Sequence, residues 1–320
     1  MKGAILKVAA IQAAPVFLDS SATADKALTL LREAAGNGAE LCVFPEVYIA
    51  GYPIWLRAPE VATNTELLKL GHVAYVQSAI TADGPELSAI AKAAADLGVF
   101  VMIGFVERHP SGGSVFASLA AIHPCRGVLG VHRKLKPTFQ ERLIWSDGDG
   151  RGLEVHSWKN LRLGGLNCYE NWLPLARHAL YAEGEQVHIA TWPGDLDVTQ
   201  PISQFIAMEG RVYVISASGL LRASDIPESF PLREQVVRGR DLINDGGSMI
   251  VAPDGQVIQG PVTGEEIILY ADLREDAIIA ERLKLDPAGH YSRPDVLTLN
   301  VNRKRQEPWP SPRDKLEEEE

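Results

Sequence analysis

Three side chains that could carry out covalent chemistry each follow a short apolar, strand-like run of the sequence. They are the carboxylic acid Glu46, the amine Lys134 and the thiol Cys168. In sheet-based α/β folds, functional groups gather at the carboxyl ends of strands. Three such strand ends could therefore bring these side chains into one pocket, although they lie far apart along the chain.

The three groups complement each other chemically. A thiol is only partly ionised at neutral pH and becomes a good nucleophile beside a base or a cation. The Glu46 carboxylate can take the proton, and a buried Lys134 ammonium favours both the thiolate and any negative charge that develops on the substrate. Glycines before Cys168 allow a close backbone approach, and nearby N–H groups could stabilise developing charge. This combination predicts covalent catalysis by Cys168.

Each residue taken alone also has a purely structural interpretation. A free cysteine is usually a small core residue, and Cys42 and Cys125 are interpreted in that way. A glutamate after a strand is most often a solvated loop residue, and Lys134 stands in a basic run. The histidines are scattered without the spacing of metal ligands, so no metal site is predicted. Pattern alone leaves both interpretations of the trio open.

Short apolar runs alternate with amphipathic stretches, which predicts an α/β layered fold. Strands are predicted over residues 6–12, 41–44, 99–106, 114–122, 127–132, 161–167, 187–191, 212–216, 247–252, 256–258 and 267–272. Helices are predicted over residues 22–35, 86–96, 174–182, 200–209 and 272–283. The strands 114–122 and 127–132 are predicted to form a hairpin. Glu46, Lys134 and Cys168 then stand just beyond predicted strands.

Charge and cysteine content restrict the partners and the location. The formal net charge is −10, and four of those charges come from residues 317–320. A mildly acidic body argues against binding nucleic acid or an anionic membrane surface. The three cysteines are far apart, which argues against a disulfide framework. No apolar run approaches the roughly 18 residues that span a bilayer, and the start lacks a signal peptide pattern. We therefore expect a cytoplasmic protein.

The chain is expected to form one large domain with an extension. No Gly/Ser/Pro-rich linker divides its middle, which favours a single domain over residues 1–285. Residues 286–320 lack regular periodicity but include Tyr291, Leu297 and Trp309. Such a segment is expected to lie at an oligomer interface, with docking on its own subunit as the alternative. The acidic end is expected to be disordered.

Several sequence blocks together resemble the nitrilase superfamily of carbon-nitrogen hydrolases, and within it the true nitrilase branch. They occur in the order and at separations similar to those of the family: FPE (44–46), GYP (51–53), HRKLKPT (132–138), ER (141–142), GGLNCYEN (164–171) and PLAR (174–177). The resemblance runs from residues 8–12 to residues 286–294, which is nearly the whole chain. It implies an enzyme that hydrolyses an organic nitrile to the carboxylic acid and ammonia.

The resemblance also implies roles for individual residues. Glu46 matches the general base of the family, Lys134 its cationic residue, and Cys168 its nucleophile. Glu141 matches a second glutamate near the lysine that helps to place the substrate. The implied fold is a four-layer α-β-β-α sandwich, which becomes eight-layered on dimerisation, and dimers of the family extend into helical filaments. Neither a metal nor an organic cofactor is implied.

The residues around the nucleophile favour nitrilases over amidase-like branches. Glu170, Asn171 and Trp172 follow as they do in nitrilases, whereas Tyr169 stands where a tryptophan is usual. Substrate-binding walls are predicted from four aromatic residues, for which core packing is the alternative: Tyr52, Tyr169, Trp172 and Trp192. Cyanide hydratase or dihydratase is the second functional candidate, an amidase-type hydrolase the third, and a non-catalytic filament-forming protein a candidate of a different class.

Overall fold

The computed structural model describes residues 5–306, and two β-sheets stand at the centre of this part. The first sheet has the strand order β13-β1-β2-β3-β4-β5 and is made of β1 (Ile5–Gln12), β2 (Leu41–Val43), β3 (Phe100–Arg108), β4 (Val115–His123), β5 (Gly127–Arg133) and β13 (Ile267–Arg274). The second has the order β10-β11-β9-β8-β7-β6, with a further strand, β12, on β11. It is made of β6 (His156–Trp158), β7 (Leu161–Asn167), β8 (Val187–Trp192), β9 (Tyr213–Ser218), β10 (Leu220–Arg222), β11 (Leu242–Val251) and β12 (Val257–Thr263).

Helices cover the outer faces of both sheets. Those of the described chain are α1 (Ser20–Gly36), α2 (Pro59–Ala62), α3 (Thr65–Ser78), α4 (Pro85–Leu97), α5 (Pro174–Ala182), α6 (Leu196–Gly210), α7 (Arg233–Val237) and α8 (Glu275–Arg282). Helices α1 and α4 share an apolar cluster with the first sheet, while α5 and α6 pack on the second. Among the helices of residues 5–306, none is both long enough and apolar enough to cross a bilayer.

Strand β1 shows why the layers form. Its side chains alternate between two faces, as those of any strand do. Leu6 and Val8 pack between the two sheets, whereas Ala9 and Ile11 pack against the helices of the outer layer. Because both faces are apolar, each sheet must be covered on both sides. The four-layer α-β-β-α sandwich expected from the sequence is confirmed.

The predicted strands and helices are found with changes of boundary, and the short strands β6 and β10 and the helices α2, α3 and α7 were not predicted. The helix predicted over 272–283 begins only at Glu275, because Asp272 to Arg274 still pair with β1. Helix α3 was not predicted, since it buries only Gly71, Tyr75 and Ser78 and its apolar pattern is weak. The Asn64 side chain accepts hydrogen bonds from the backbone of Glu66 and Leu67. This helix cap was the available sequence signal.

Two close backbone contacts fix the loops beyond β2 and β5. The turn that carries Glu46 lies against Gly104 of β3, where a Cβ atom would stand 2.3 Å from the Pro45 carbonyl oxygen. Gly148 lies equally close to the carbonyl oxygens of Arg133 and Lys134, and its N–H donates to the Lys134 oxygen at 2.8 Å. Because no larger residue fits at either contact, glycine holds both loops tightly over the sheet edge.

Candidate active site

A buried lysine joins two glutamates at the edge of the first sheet. Lys134 follows β5 directly, and its Nζ donates to Glu46 Oε1 at 2.9 Å and to Glu141 Oε2 at 2.7 Å. All three side chains are almost completely buried. Glu141 is held from a second side by the Thr138 backbone N–H, at 2.6 Å. Ion pairs at such depth have fixed geometry, because each charge depends on its partner.

Cys168 joins this cluster from the second sheet. It follows β7, starts a short 3-10 helix (Cys168–Trp172), and is 4% exposed. Its φ of 51° lies in the left-handed region, which is uncommon for a residue with a side chain and occurs often at functional turns. Its Sγ and one carboxylate oxygen each of Glu46 and Glu141 all lie within 4.8 Å of one another. The structure therefore brings together all four residues predicted to be catalytic.

A thiol and two carboxylates at this spacing could also ligate a metal ion. In this cluster, however, the Lys134 Nζ already lies within hydrogen-bond distance of both carboxylates. The lysine thus supplies a positive charge to both carboxylates, where a bound metal ion would otherwise supply it. The donor set fits an ammonium-centred cluster, which agrees with the interpretation of the sequence.

Burial changes the proton affinities of the cluster. It raises the pKa of Glu46 to about 7; the Lys134 ammonium opposes this rise and the Glu141 carboxylate adds to it. Burial, with the charge on Glu46, also raises the pKa of the Cys168 thiol well above its usual range. Burial disfavours charge on Lys134, but the negative groups around it prevail and its pKa is raised. At neutral pH the thiol is therefore protonated, the lysine charged, and Glu46 poised between its two forms.

One oxygen of Glu46 is free to act. Oε1 accepts from Lys134, whereas Oε2 is buried and has no hydrogen-bond partner among the residues described. An unsatisfied buried carboxylate oxygen is costly and usually indicates a functional demand. Since the Cys168 thiol belongs to the same cluster, this oxygen can accept a proton or bind a water molecule.

Glu170 connects the lysine loop to the cysteine loop, a role that sequence reasoning missed. Its buried carboxylate accepts from His132 Nε2 at 3.0 and 3.1 Å and from the backbone of Leu135 at 2.6 Å and Asn167 at 3.0 Å. Burial works against its charge, yet His132 and the backbone donors lower its pKa. The spacing of Asn167 and Glu170, which form a capping box, was a signal for this role.

An open cavity of about 370 Å³ leads to the cluster. Its lining is Tyr52, Arg57, Thr138, Phe139, Gln140, Glu141, Cys168, Tyr169, Trp192, Pro193, Gly194, Asp195, Val198 and Thr199. Tyr52, Tyr169 and Trp192 thus lie where the sequence placed a substrate wall. The Tyr52 hydroxyl also donates to Glu141 Oε1 at 2.8 Å.

Trp172 is not brought to this cavity. It stands at the end of the 3-10 helix and is 43% exposed, and it is absent from the cavity lining. It lies four positions after Cys168, which is more than one turn of a 3-10 helix. Its side chain therefore belongs to the outer surface rather than to the substrate wall.

The fold and this cluster define an α/β enzyme built around a buried thiol. The sequence model of the carbon-nitrogen hydrolase family matches residues 7–282, and the chain belongs to this family. It is 37% identical over 318 residues to an aliphatic nitrilase of Rhodococcus rhodochrous, covering 94% of this chain and 84% of that protein. It is 39% identical over 307 residues to a nitrilase of Bradyrhizobium diazoefficiens, covering 92% of each.

The fold is shared with solved structures of the superfamily. A CN-hydrolase superfamily protein from Xanthomonas campestris superposes with a TM-score of 0.68 at 18% sequence identity, covering 89% of this chain and 96% of that chain. At this identity the likeness extends to the fold alone. It agrees with the four-layer arrangement described above.

Proposed function

We propose that this enzyme is a nitrilase, which hydrolyses an organic nitrile to the carboxylic acid and ammonia through a covalent intermediate on Cys168. The observation that carries this proposal is the Cys168 thiol within 4.8 Å of a carboxylate oxygen of Glu46, whose Oε1 pairs with Lys134 and whose buried Oε2 has no hydrogen-bond partner among the described residues. The relatives named nitrilase, at 37% and 39% identity over most of the chain, support the same activity.

In the first step, Glu46 takes the thiol proton and the Cys168 sulfur attacks the nitrile carbon. The electron pair of one C–N bond moves to nitrogen, which takes a proton and leaves a covalent thioimidate. Lys134 and backbone N–H groups stabilise the negative charge that develops on nitrogen. The pKa of about 7 suits Glu46 to this transfer, because a general base works best when its pKa lies near the working pH.

Two water molecules complete the reaction. Glu46 takes a proton from the first water, whose oxygen adds to the thioimidate carbon and gives a tetrahedral intermediate. Glu46 returns this proton to nitrogen, the hydroxyl proton also passes to nitrogen as the C–N bond breaks, and ammonia leaves with a thioester remaining. A second water, activated in the same way, adds to the thioester and releases the carboxylic acid and the free thiol. Dividing one difficult addition into these steps is what covalent catalysis achieves.

The activity is tested by measuring ammonia from a panel of aliphatic and aromatic nitriles, the matching amides, and cyanide. We expect ammonia and acid from at least one organic nitrile, with no release by Cys168→Ala. Release from cyanide alone would indicate a cyanide hydratase or dihydratase, and release from amides alone an amidase. No release from any compound would favour the non-catalytic assembly protein. Each of these results contradicts the proposal.

A homodimer is proposed as the basic assembly, extending into a helical filament. Helices α5 and α6 form the outer layer on the second sheet, and their surface exposes Leu173, Leu175, Phe205 and Met208. The guanidinium of Arg177 lies over the Phe205 ring at 5.5 Å, which joins the two helices into one surface. Apolar side chains grouped in this way favour a protein interface, and a second copy of the chain would complete an eight-layer sandwich.

Light scattering of Phe205→Asp tests this interface. We expect a smaller particle than wild type, because a buried unpaired charge is costly at an interface. Val73→Asp serves as the control, since Val73 is a similarly exposed apolar residue on α3, which packs against a different core cluster from α5 and α6. A particle of unchanged size in Phe205→Asp, or a monomeric wild type, would contradict the dimer on this surface.

The chain is proposed to divide into a domain of residues 1–285 and an extension of residues 286–320. The extension is proposed to dock on its own subunit and to present exposed apolar residues to a partner. Leu299 and Val301 pack on the cluster around α5, and Arg305 donates to Asp149 and to the Val131 carbonyl. These contacts support docking on the same subunit. Tyr291 and Leu297 stay exposed and could still meet a partner. Trp309 and the acidic end lie outside the described residues.

Truncation after Pro287 tests that division. We expect lower activity and a smaller assembly, because the cut removes the contacts to Asp149 beside the lysine loop. A truncated protein with wild-type size and rate would contradict a role for the extension.

A cytoplasmic location is proposed from the free thiol of Cys168, and fractionation of cells that express the chain would test it.

A further inference from the structure

Arg57 occupies a fixed position on the cavity. It is the last residue of a short 3-10 helix (Ile54–Arg57). The two residues before it, Trp55 and Leu56, are buried in the core. The Trp55 indole packs so closely on Gly71 of α3 that a Cβ atom there would stand 2.4 Å from its Nε1. The backbone under Arg57 is therefore anchored, while its side chain is exposed and lines the same cavity as Cys168.

The contacts of the guanidinium leave most of its donors unused. Arg57 Nη1 donates to Asn244 Oδ1 at 3.1 Å, and the guanidinium carbon lies 5.0 Å from the centre of the Tyr52 ring. Within residues 5–306, no carboxylate forms an ion pair with it. A guanidinium presents five N–H donors in a planar fork that matches a carboxylate. Two neutral side chains, those of Asn244 and Tyr52, set the orientation of the guanidinium. Within residues 5–306 its positive charge has no carboxylate in contact.

The position of Arg57 on the cavity of Cys168 suits a substrate that has a reacting group at one end and a negatively charged group at the other. Its guanidinium lies over the ring of Tyr52, and the hydroxyl of that ring binds Glu141, which lies beside Cys168. The Tyr52 side chain thus links Arg57 to the carboxylate that adjoins the thiol. Arg57 and Cys168 line one cavity of about 370 Å³, which has room for a short methylene chain between them.

We propose that Arg57 binds a carboxylate at the end of the substrate remote from the nitrile, so that the enzyme prefers cyano-carboxylates to neutral nitriles of the same length. This proposal rests on the nitrilase activity proposed above. An arginine binds a carboxylate through two parallel hydrogen bonds, which add orientation as well as affinity. With its carboxylate bound to Arg57, the substrate would hold its nitrile carbon against Cys168.

Asp195 lines the same cavity and has the opposite charge. Its backbone N–H donates to Asp245 at 2.8 Å, and its side chain is exposed. Asp195 would repel a substrate carboxylate rather than bind it, so it works against the preference that Arg57 creates. It therefore offers a matched variant: Asp195→Asn removes a charge of opposite sign from the same cavity.

The test compares 4-cyanobutanoate with pentanenitrile, which differ only in a carboxylate that replaces a methyl group. We expect wild type to have the higher kcat/KM on 4-cyanobutanoate. Arg57→Gln should lower the ratio of the two kcat/KM values by about tenfold or more, chiefly through KM of the anion, as the loss of a charged hydrogen-bond pair does. Arg57→Lys should restore only part of the ratio, and Asp195→Asn should raise it.

Several outcomes would overturn the proposal. Equal losses on both nitriles in Arg57→Gln would mean that Arg57 acts by positioning Tyr52. An unchanged ratio, or a wild type that prefers pentanenitrile, would exclude carboxylate recognition. Calorimetry of 4-cyanobutanoate on Cys168→Ala, with and without Arg57→Gln, measures recognition without catalysis. Binding weakened by Arg57→Gln in a protein that hydrolyses no nitrile would reject the nitrilase activity but not the carboxylate site; equal binding would reject the site.

Discussion

The catalytic cluster and the outer wall of the cavity differ in how firmly the protein holds them. Lys134 is 1% exposed and is bonded to two carboxylates at once, and its neighbours are fixed by Glu170 and by close backbone contacts. Tyr169, by contrast, is 44% exposed, and Phe139 is 73% exposed. The inner groups lie where the two sheets meet, whereas Tyr169 and Phe139 stand on short 3-10 helices with their side chains largely in solvent.

This difference indicates that the buried cluster carries out the chemistry and that the exposed wall selects the substrate. In a buried site, charged groups interact strongly because little water screens them, and removing one leaves the others unbalanced. At the exposed wall, water replaces a lost contact, so a substitution alters affinity for particular substrates instead of the reaction itself. The inner cluster should therefore tolerate almost no change, and the effects should fall steadily toward the surface.

The largest effect is expected at Cys168. Cys168→Ala and Cys168→Ser should abolish turnover and leave the circular dichroism spectrum unchanged, because the residue forms the covalent bond and its replacement fits the same turn. Mass spectrometry of the wild type with a slow nitrile should place the adduct on the peptide that carries Cys168. An adduct on Cys42 or Cys125 instead would show that the nucleophile has been assigned to the wrong residue.

Loss of charge in the cluster should come next. Glu46→Gln and Lys134→Met should each lower kcat by ~10²–10³, the usual loss when one positioned group at a developing charge is removed. Lys134→Met should also lower the free energy of unfolding by about 3–5 kcal/mol, since it leaves two buried carboxylates without their cation. Ammonia release in timed assays measures kcat, and urea unfolding measures the free energy of unfolding. A variant that keeps more than half of the wild-type kcat would refute the role given to that residue.

The pH profile should show the influence of burial directly. The pKa of Glu46 is raised to about 7, and the base must be ionised to take the thiol proton. As the pH falls through 7, Glu46 becomes protonated, so kcat/KM should fall about tenfold for each pH unit below that value. A profile recorded from pH 5 to 9 tests this expectation. An acid limb near the ordinary carboxyl pKa would mean that Glu46 is not the titrating base.

A smaller effect is expected where the inner cluster meets the cavity. Tyr52→Phe removes the hydroxyl that donates to Glu141 at 2.8 Å and keeps the ring under Arg57. The loss of one neutral donor to a carboxylate corresponds to roughly 1–2 kcal/mol, so kcat/KM should fall about fivefold to thirtyfold. Steady-state kinetics on a neutral nitrile measures it. A rate equal to that of wild type would show that Lys134 and the Thr138 N–H position Glu141 without the Tyr52 hydroxyl.

The smallest effect is expected at Lys136, which stands two residues from Lys134. Its ammonium pairs with Asp147 at 2.5 Å on the surface, and both side chains are more than half exposed. Exposed pairs contribute about 0–1 kcal/mol, so Lys136→Ala should change kcat less than twofold and stability little. A loss as large as that in Lys134→Met would contradict the division between a firmly held cluster and a tolerant surface.

The sequence contained enough to predict the layered fold and to name four side chains that the structure brings into one cluster. Alternating apolar runs identified the strands that precede Glu46, Lys134 and Cys168, and the motif blocks added Glu141. It gave only the Asn64 cap as a signal for α3, because the packing of this helix depends on the Trp55 indole meeting Gly71, two residues that no local pattern connects. It also placed Trp172 in the substrate wall, although a 3-10 turn directs that residue to the surface.

What the sequence alone determined is therefore the kind of chemistry, because residue type and the strand that precedes it are local properties. Only the tertiary structure decided how the groups work together. It joined the loops of Lys134 and Cys168 through the Glu170 carboxylate, left one oxygen of Glu46 unpaired, and brought Arg57 to the cavity of the nucleophile. Each of these depends on contacts between distant segments of the chain, and such contacts arise only when the two sheets pack together.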